Sequence, residues 1–335
     1  MSKTIYCELE FLRELVGNIP QVDPLGDNEK YKSWKKTYDL LKRNSVIFDE
    51  LLSDEELKKI KSKNNEDLAS EAMWTIIRDN FSISNSFHLL RAKKYEQLTN
   101  GQLQSIYLMI LNKKEKQEIS QSTGILIIGK PDMEKYNSLF SERKVPLPEG
   151  KYNNWNDLDY PESIRISNCL IIVDNYILRD TKKFEKNIYS LLDVLLPFQI
   201  CVEYNISLYV DVNKSNLTES QMQLRFDYIN NKIKELRPDL SYSLEIIDAN
   251  EHFHDRKIIT NNIYIRSGAG FDVFPIKKST DVIMSFPFLE NTPYMKDEES
   301  YNILISELNS IDHTKKYGKH IWYEKDSGNR LLLNL

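Results

Sequence analysis

The chain has 335 residues, 41% hydrophobic and 28% charged, which fits a folded protein of two domains and excludes an intrinsically disordered one. A formal net charge of −5 excludes a surface that is basic throughout, so a nucleic-acid partner requires a local basic patch. Three widely spaced cysteines, Cys7, Cys169 and Cys201, make neither a disulfide framework nor a zinc pattern and point to a reducing, cytoplasmic setting. The opening MSKTIYCELE lacks a basic stretch followed by a long apolar run, and no apolar stretch reaches the length of a membrane span. Neither a signal peptide nor a transmembrane segment is expected.

In chain order, Thr4–Cys7 reads as a strand and residues 11–16 as a helix stopped by Gly17 and Pro20. Trp34, Tyr38 and Leu41 fall at helical spacing, and Ser45–Phe48 is strand-like. Residues 54–61 form a charged helix with Ser53 as its N-cap, and 67–78 and 102–111 read as further helices. Residues 123–129, TGILIIG, are a short apolar run bracketed by glycines, the mark of a buried strand. Residues 144–163 are rich in Pro, Asn and Asp and carry neither period. The expected organisation is therefore a mainly helical α/β domain over 1–145, a linker over 146–163, and a second domain over 164–335.

The second domain alternates more clearly. Residues 164–173 read as a strand and 184–196 as a helix closed by Pro197. Ile206, Leu208, Val210 and Val212 alternate along a strand, and 218–236 form a long helix capped by Thr218 with Pro238 just beyond. Residues 243–247 are a third strand, 257–260 and 262–265 two more on either side of an Asn pair, and 298–308 a last helix. Strand and helix in alternation predict a layered α/β domain with a largely parallel sheet.

One segment carries chemistry: residues 253–274, FHDRKIITNNIYIRSGAGFDVF. In an extended chain residues two apart share a face, so His254 and Arg256 lie together while Asp255 points away. An imidazole beside a guanidinium suits a phosphate: arginine holds two oxygens in a fork, and histidine attacks phosphorus or moves a proton. Gly268 and Gly270 would let the backbone approach the anion closely. The plainer alternative makes His254 a structural histidine and pairs Arg256 with Asp255 or Asp272.

His254, Arg256 and Asn261 resemble the His-x-Lys-x4-Asp motif of the phospholipase D superfamily, with Gly268 and Ala269 where that family has a Gly-Ser pair. His254, Asp255, Arg256, Gly268, Gly270, Asp272 and Phe274 are closer still to the phospholipase-D-like C-terminal domain of microtubule-interacting-and-transport proteins. The resemblance covers about half the chain. It implies a phospholipase-D-like fold for 164–335 and a nuclease-type phosphodiesterase that needs no cofactor. In that enzyme His254 would be the nucleophile, Arg256 the phosphate clamp with Gly268 and Gly270, and Asn261 the orienting group. Bacterial proteins of this kind serve in nucleic-acid (antiphage) defence, an analogy of fold alone.

Two departures weigh against hydrolysis. Asn261 lacks the carboxylate that would steady a charged histidine; the same replacement in a Ser-His-Asp triad costs about four orders of magnitude in rate. Only one His motif is present where the family's chemistry uses two, so activity would require a homodimer. The alternative is an inert module that binds a phosphate ligand, nucleic acid or anionic lipid, or that serves dimerisation and protein partners.

The start of the chain has a looser resemblance to PIN-like nucleases, which would make Glu8, Glu10, Asp49 and Glu71 ligands of Mg2+ or Mn2+. An Asp-Thr-Asn-like start is missing, and solvated acids are the plainer reading. Trp34, Tyr38 and Trp74 read as core. His313 and His320 stand among lysines and suggest a basic cluster rather than a metal site, while His252 could add a second imidazole beside His254. There is no Walker loop, dinucleotide fingerprint or nucleophile elbow.

Overall fold

Short buried apolar runs separated by amphipathic helices build a parallel sheet at the start of the chain, and a computed structural model places it in the first of two units. The structure describes residues 4–24, 26, 28–249, 253, 255–287, 289, 296–317, 321–323 and 328–333. Unit 1 comprises Met1–Ser120, Ile125–Ser141 and Phe288–Met295, and unit 2 comprises Gln121–Gly124, Glu142–Pro287 and Lys296–Leu335. The protein is thus mixed α/β, with helices and two sheets.

In unit 1 the strands are β1 (Thr4–Cys7), β2 (Ser45–Phe48), β3 (Ser82–Ile83), β4 (Ile106–Leu108) and β5 (Leu126–Ile128), all parallel in the order β3-β2-β1-β4-β5. Helices Leu9–Gly17, Glu29–Arg43, Asp54–Lys63 and Leu68–Ile77 accompany them. The expected cap at Ser53 is present as a full capping box with Glu56. The helix expected over 102–111 is not formed. A single turn, Asn100–Leu103, gives way to β4, because Ile106, Tyr107, Leu108 and Met109 are all buried and suit a strand covered on both faces.

Unit 2 holds the larger sheet. Its strands are β6 (Arg143–Leu147), β7 (Cys169–Val173), β8 (Tyr204–Val210), β9 (Tyr242–Asp248), β10 (Arg256–Thr260), β11 (Tyr264–Ser267), β12 (Thr280–Ser285) and β13 (Ile321–Tyr323). Their order is β13-β9-β8-β7-β10-β11-β12-β6. Only β7, β8 and β9 run parallel; every other neighbouring pair is antiparallel. The largely parallel sheet expected from sequence therefore becomes a mixed one. The physical reason is the turn at Asn261–Ile263, too short for a crossover, so β10 and β11 must form a hairpin.

Residues 146–163, expected as a linker, belong to unit 2. β6 pairs with β12 at the sheet edge, and Trp155 is 2% exposed, its indole N–H donating to the Phe271 carbonyl at 3.1 Å. Helices Thr181–Leu195 and Glu219–Leu236 and the long helix Lys296–Tyr317 complete the unit. Among the described residues no helix is long and apolar enough to cross a membrane.

Candidate functional site

β10 runs antiparallel to β7, with Lys257 opposite Val173 and Thr260 opposite Leu170. Its first residue, Arg256, therefore stands at the carboxyl end of the parallel strands, the edge where open α/β sheets present ligands. Asp174 follows β7 there. Its Oδ1 accepts from the Tyr176 N–H at 2.9 Å and its Oδ2 from the Phe271 N–H at 2.7 Å. Asp174 is 1% exposed, and burial pushes its pKa up to about 6, against those two hydrogen bonds; Asp272 adds to the rise and Arg256 opposes it.

The stretch from Gly268 to Phe274 wraps around this carboxylate. Phe271 and Phe274 are fully buried against Trp155, with ring centroids 5.7 and 5.1 Å from it, and each anchors the loop by about 1.5–3 kcal/mol of apolar burial. Asn187 fixes Phe274 from both sides, accepting its N–H at 3.0 Å and donating to its carbonyl at 2.9 Å. The turn itself needs Gly270, whose φ is +89°. A Cβ there would lie 3.0 Å from Asp174 Oδ2 and 3.3 Å from Asp272 Oδ1, so both carboxylates face the same point. Burial raises Asp272 as well, opposed first by Lys183, then by its own backbone N–H and by Arg256.

Arg256 is half-buried. Its Nη1 donates to the Gly268 carbonyl at 2.9 Å, and its guanidinium carbon sits 5.4 Å from the centre of the Tyr176 ring. Its Nε is shut off from solvent and, among the described residues, has no hydrogen-bond partner. Among those residues Arg256 makes no ion pair, with neither Asp255 nor Asp272 within salt-bridge distance. Phe253, three residues earlier, packs edge-on against Tyr209 at 6.5 Å and accepts from Asn175 Nδ2 at 3.0 Å. His252 and His254 lie outside the described residues.

Asn261 is elsewhere. It follows the far end of β10, roughly 16 Å from Arg256 at strand rise. Its Oδ1 accepts from the Asn168 N–H at 3.0 Å and its Nδ2 donates to the Gly124 carbonyl at 2.9 Å, with 1% of the residue exposed. Asn262 donates to the same carbonyl at 3.2 Å. Gly124, at φ +68°, passes so close to Ser167 that a Cβ would lie 2.3 Å from its carbonyl carbon and oxygen. Asn261 thus closes a turn and does not join Arg256. Gly268 also departs from expectation. A Cβ there would meet nothing within 4 Å, so its contribution is the carbonyl that Arg256 binds rather than a space for an anion. Gly270 looks onto two carboxylates.

In unit 1 the acids named from sequence come together in part: Glu8 and Asp49 follow the neighbouring strands β1 and β2, where Asp49 adds to the rise that burial causes in the Glu8 pKa, while Glu10 and Glu71 lie on helices. Glu8 is 4% exposed at the crevice where strand order reverses between β1 and β4; it binds the Arg91 guanidinium and accepts from the Ile110 N–H at 2.6 Å. Burial raises its pKa, opposed by Arg91. Asp49 Oδ1 accepts from the Leu9 N–H at 2.8 Å, Glu10 pairs with Arg13 on the surface, and Glu71 is exposed on the helix Leu68–Ile77. Among the described residues no three His, Cys, Asp or Glu side chains stand together as a metal site. Trp34 stacks on Tyr38 and donates to the Leu15 carbonyl at 2.7 Å, and Trp74 receives Lys61 over its ring. His313 is exposed beside Tyr317, the neighbouring Lys315 and Lys316 bind Glu245 and Asp312, and His320 lies outside the described residues.

Sequence reasoning did not single out Asp174, Tyr176 or Lys183. The signal for Asp174 was available: a carboxylate directly after the apolar run CLIIV marks the carboxyl end of a buried strand. Comparison of the chain with protein-family models and with curated proteins finds no match.

Proposed function

We propose that unit 2 is a phospholipase-D-like module that binds a phosphodiester at the carboxyl edge of β7, β8 and β9, with Arg256 as the anchoring cation. The observation that carries this reading is the state of Arg256: one N–H is given to a carbonyl, Nε is buried without a partner, and no carboxylate pairs with it among the described residues. A half-buried guanidinium with no carboxylate partner suits an anion, which would reach it from the Nη side because Nε is shut off from solvent. Binding is favoured over hydrolysis because Asn261 is occupied with the β10–β11 turn, far from Arg256.

The test is calorimetric titration of the full chain with a short oligonucleotide lacking terminal phosphates, in the presence of EDTA. Arg256→Ala is expected to weaken binding by about 1.5–3 kcal/mol, the value of a charge-assisted hydrogen bond, with little change in melting temperature. Unchanged affinity makes Arg256 structural and overturns the reading. EDTA-resistant cleavage of the oligonucleotide, lost in His254→Ala and confined to a dimer by light scattering, would instead make the module a two-histidine phosphodiesterase.

A further inference from the structure

Phosphodiester binding at Arg256 leaves the carboxylates around it without a role. Asp174 is bonded to both backbone stretches that carry the partners of Arg256. Through Oδ1 it holds the backbone of Tyr176, whose ring lies under the guanidinium. Through Oδ2 it holds the Phe271 N–H and with it the turn that presents the Gly268 carbonyl to Arg256. Ser267 Oγ closes the same turn by donating to the Gly270 carbonyl at 2.8 Å.

Resting on that reading of the site, we propose that Asp174 is a proton-linked positioning residue: a phosphodiester bound at Arg256 makes it take up a proton, and its protonation in turn tightens the binding. The charges that face it support this. Arg256 approaches from β10 and Asp272 from the turn after β11, while Lys183 and Asp180, on and before the helix Thr181–Leu195, act on Asp272. An anion that engages Arg256 offsets the cation that, among the described residues, favours the charged form of Asp174, and adds a negative charge nearby. Asp174 is buried and bonded through both oxygens, so it answers by binding a proton from the buffer rather than by moving away. Its pKa of about 6 puts that response close to neutral pH. Linkage makes the effect reciprocal, so each unit by which the ligand displaces the titration is a tenfold change in affinity.

The experiment uses the same oligonucleotide, whose phosphodiesters carry one charge each throughout, titrated into the full chain between pH 5 and 8 in buffers of different ionisation heat. Expected are net proton uptake centred near or above pH 6 and affinity about tenfold tighter at pH 5.5 than at pH 7.5. Asp174→Asn should bind with no uptake. Asp272→Asn, which removes a neighbouring negative charge, should keep the uptake and move it to lower pH, and it carries the decision if the Asp174 variant does not fold. His254→Ala should keep the uptake. Arg256-dependent binding without proton uptake, or uptake lost in His254→Ala and kept in Asp174→Asn, overturns the linkage alone. Failure to bind overturns the phosphodiester reading together with it.

Discussion

The two ends of β10 obey opposite rules. At the Asn261 end the polar groups are knit together: two asparagine amides converge on the Gly124 carbonyl, Asn168 donates its N–H to Asn261, and Thr260 Oγ1 accepts the N–H groups of Asn262 and Ile263. At the Arg256 end a guanidinium and two carboxylates share a small space without pairing, one of the acids held near pH 6. The first arrangement serves the fold, because a buried polar group left unmatched costs on the order of 1–3 kcal/mol. The second holds charged groups close together without ion pairs, an arrangement that the proposed ligand site would use and a turn would not.

The sharpest way to break this contrast is Asn261→Asp, which restores the residue that the phospholipase D motif has at this position. A carboxylate there would keep the Asn168 N–H but face the Gly124 carbonyl with no hydrogen to give. The expected loss is about 3–5 kcal/mol, the cost of an uncompensated buried charge, read as a fall in urea midpoint with no gain of hydrolysis. A stable variant, or one that cleaves phosphodiesters, would mean that the turn is part of the site.

Next in size is Asp174→Ala, followed across pH. The folded-state pKa of Asp174 lies above its unfolded value, so its protonation contributes stability that is complete below the ordinary aspartate range and lost as pH rises through about 6. The variant lacks this contribution. Its deficit in denaturation experiments should therefore be larger near pH 4 than at pH 7.5 by about 2.5 kcal/mol, most of what a carboxyl titrating near 6 rather than in the ordinary aspartate range contributes. A deficit that grows with pH would show that Asp174 is held ionised.

The smallest effects separate the two glycines. Gly270→Ala forces an alanine to φ +89° with its Cβ against Asp174 and should lower stability by about 1–3 kcal/mol. Gly268→Ala meets open space and should stay within about 0.5 kcal/mol of the parent in a thermal melt. Equal losses would mean that the turn is held by something other than Gly270.

Much of the fold was legible because its strands are punctuated. β1 and β2 lie between clear turn and helix signals and match their expected spans. β4 was misread because a buried parallel strand has no alternation to distinguish it from a helical segment. β6 was passed over because its stretch, rich in Pro, Asn and Asp, carries neither period, yet a proline such as Pro146 is tolerated on a strand at the sheet edge. Of the proposed site, Arg256 was named from the sequence, and Asp272 was already among the residues carrying the resemblance. It was obscured in Asn261, because motif spacing says nothing of direction: five residues along an extended strand carry a side chain to the opposite edge of the sheet.

Gly124 has a consequence for anyone wishing to dissect the protein. It lies in the four-residue piece Gln121–Gly124, which belongs to unit 2 although unit 1 continues on both sides of it in the chain. A fragment starting near residue 142 would therefore lack the carbonyl that receives Asn261 and Asn262, and would begin folding with two buried amides unmatched. A single protease cut in the stretch between residues 120 and 142 leaves each unit with part of its chain on the wrong side of the nick. The two units are separable as bodies of structure but interleaved as lengths of polypeptide, so gene truncation is a poor instrument for assigning a task to either one.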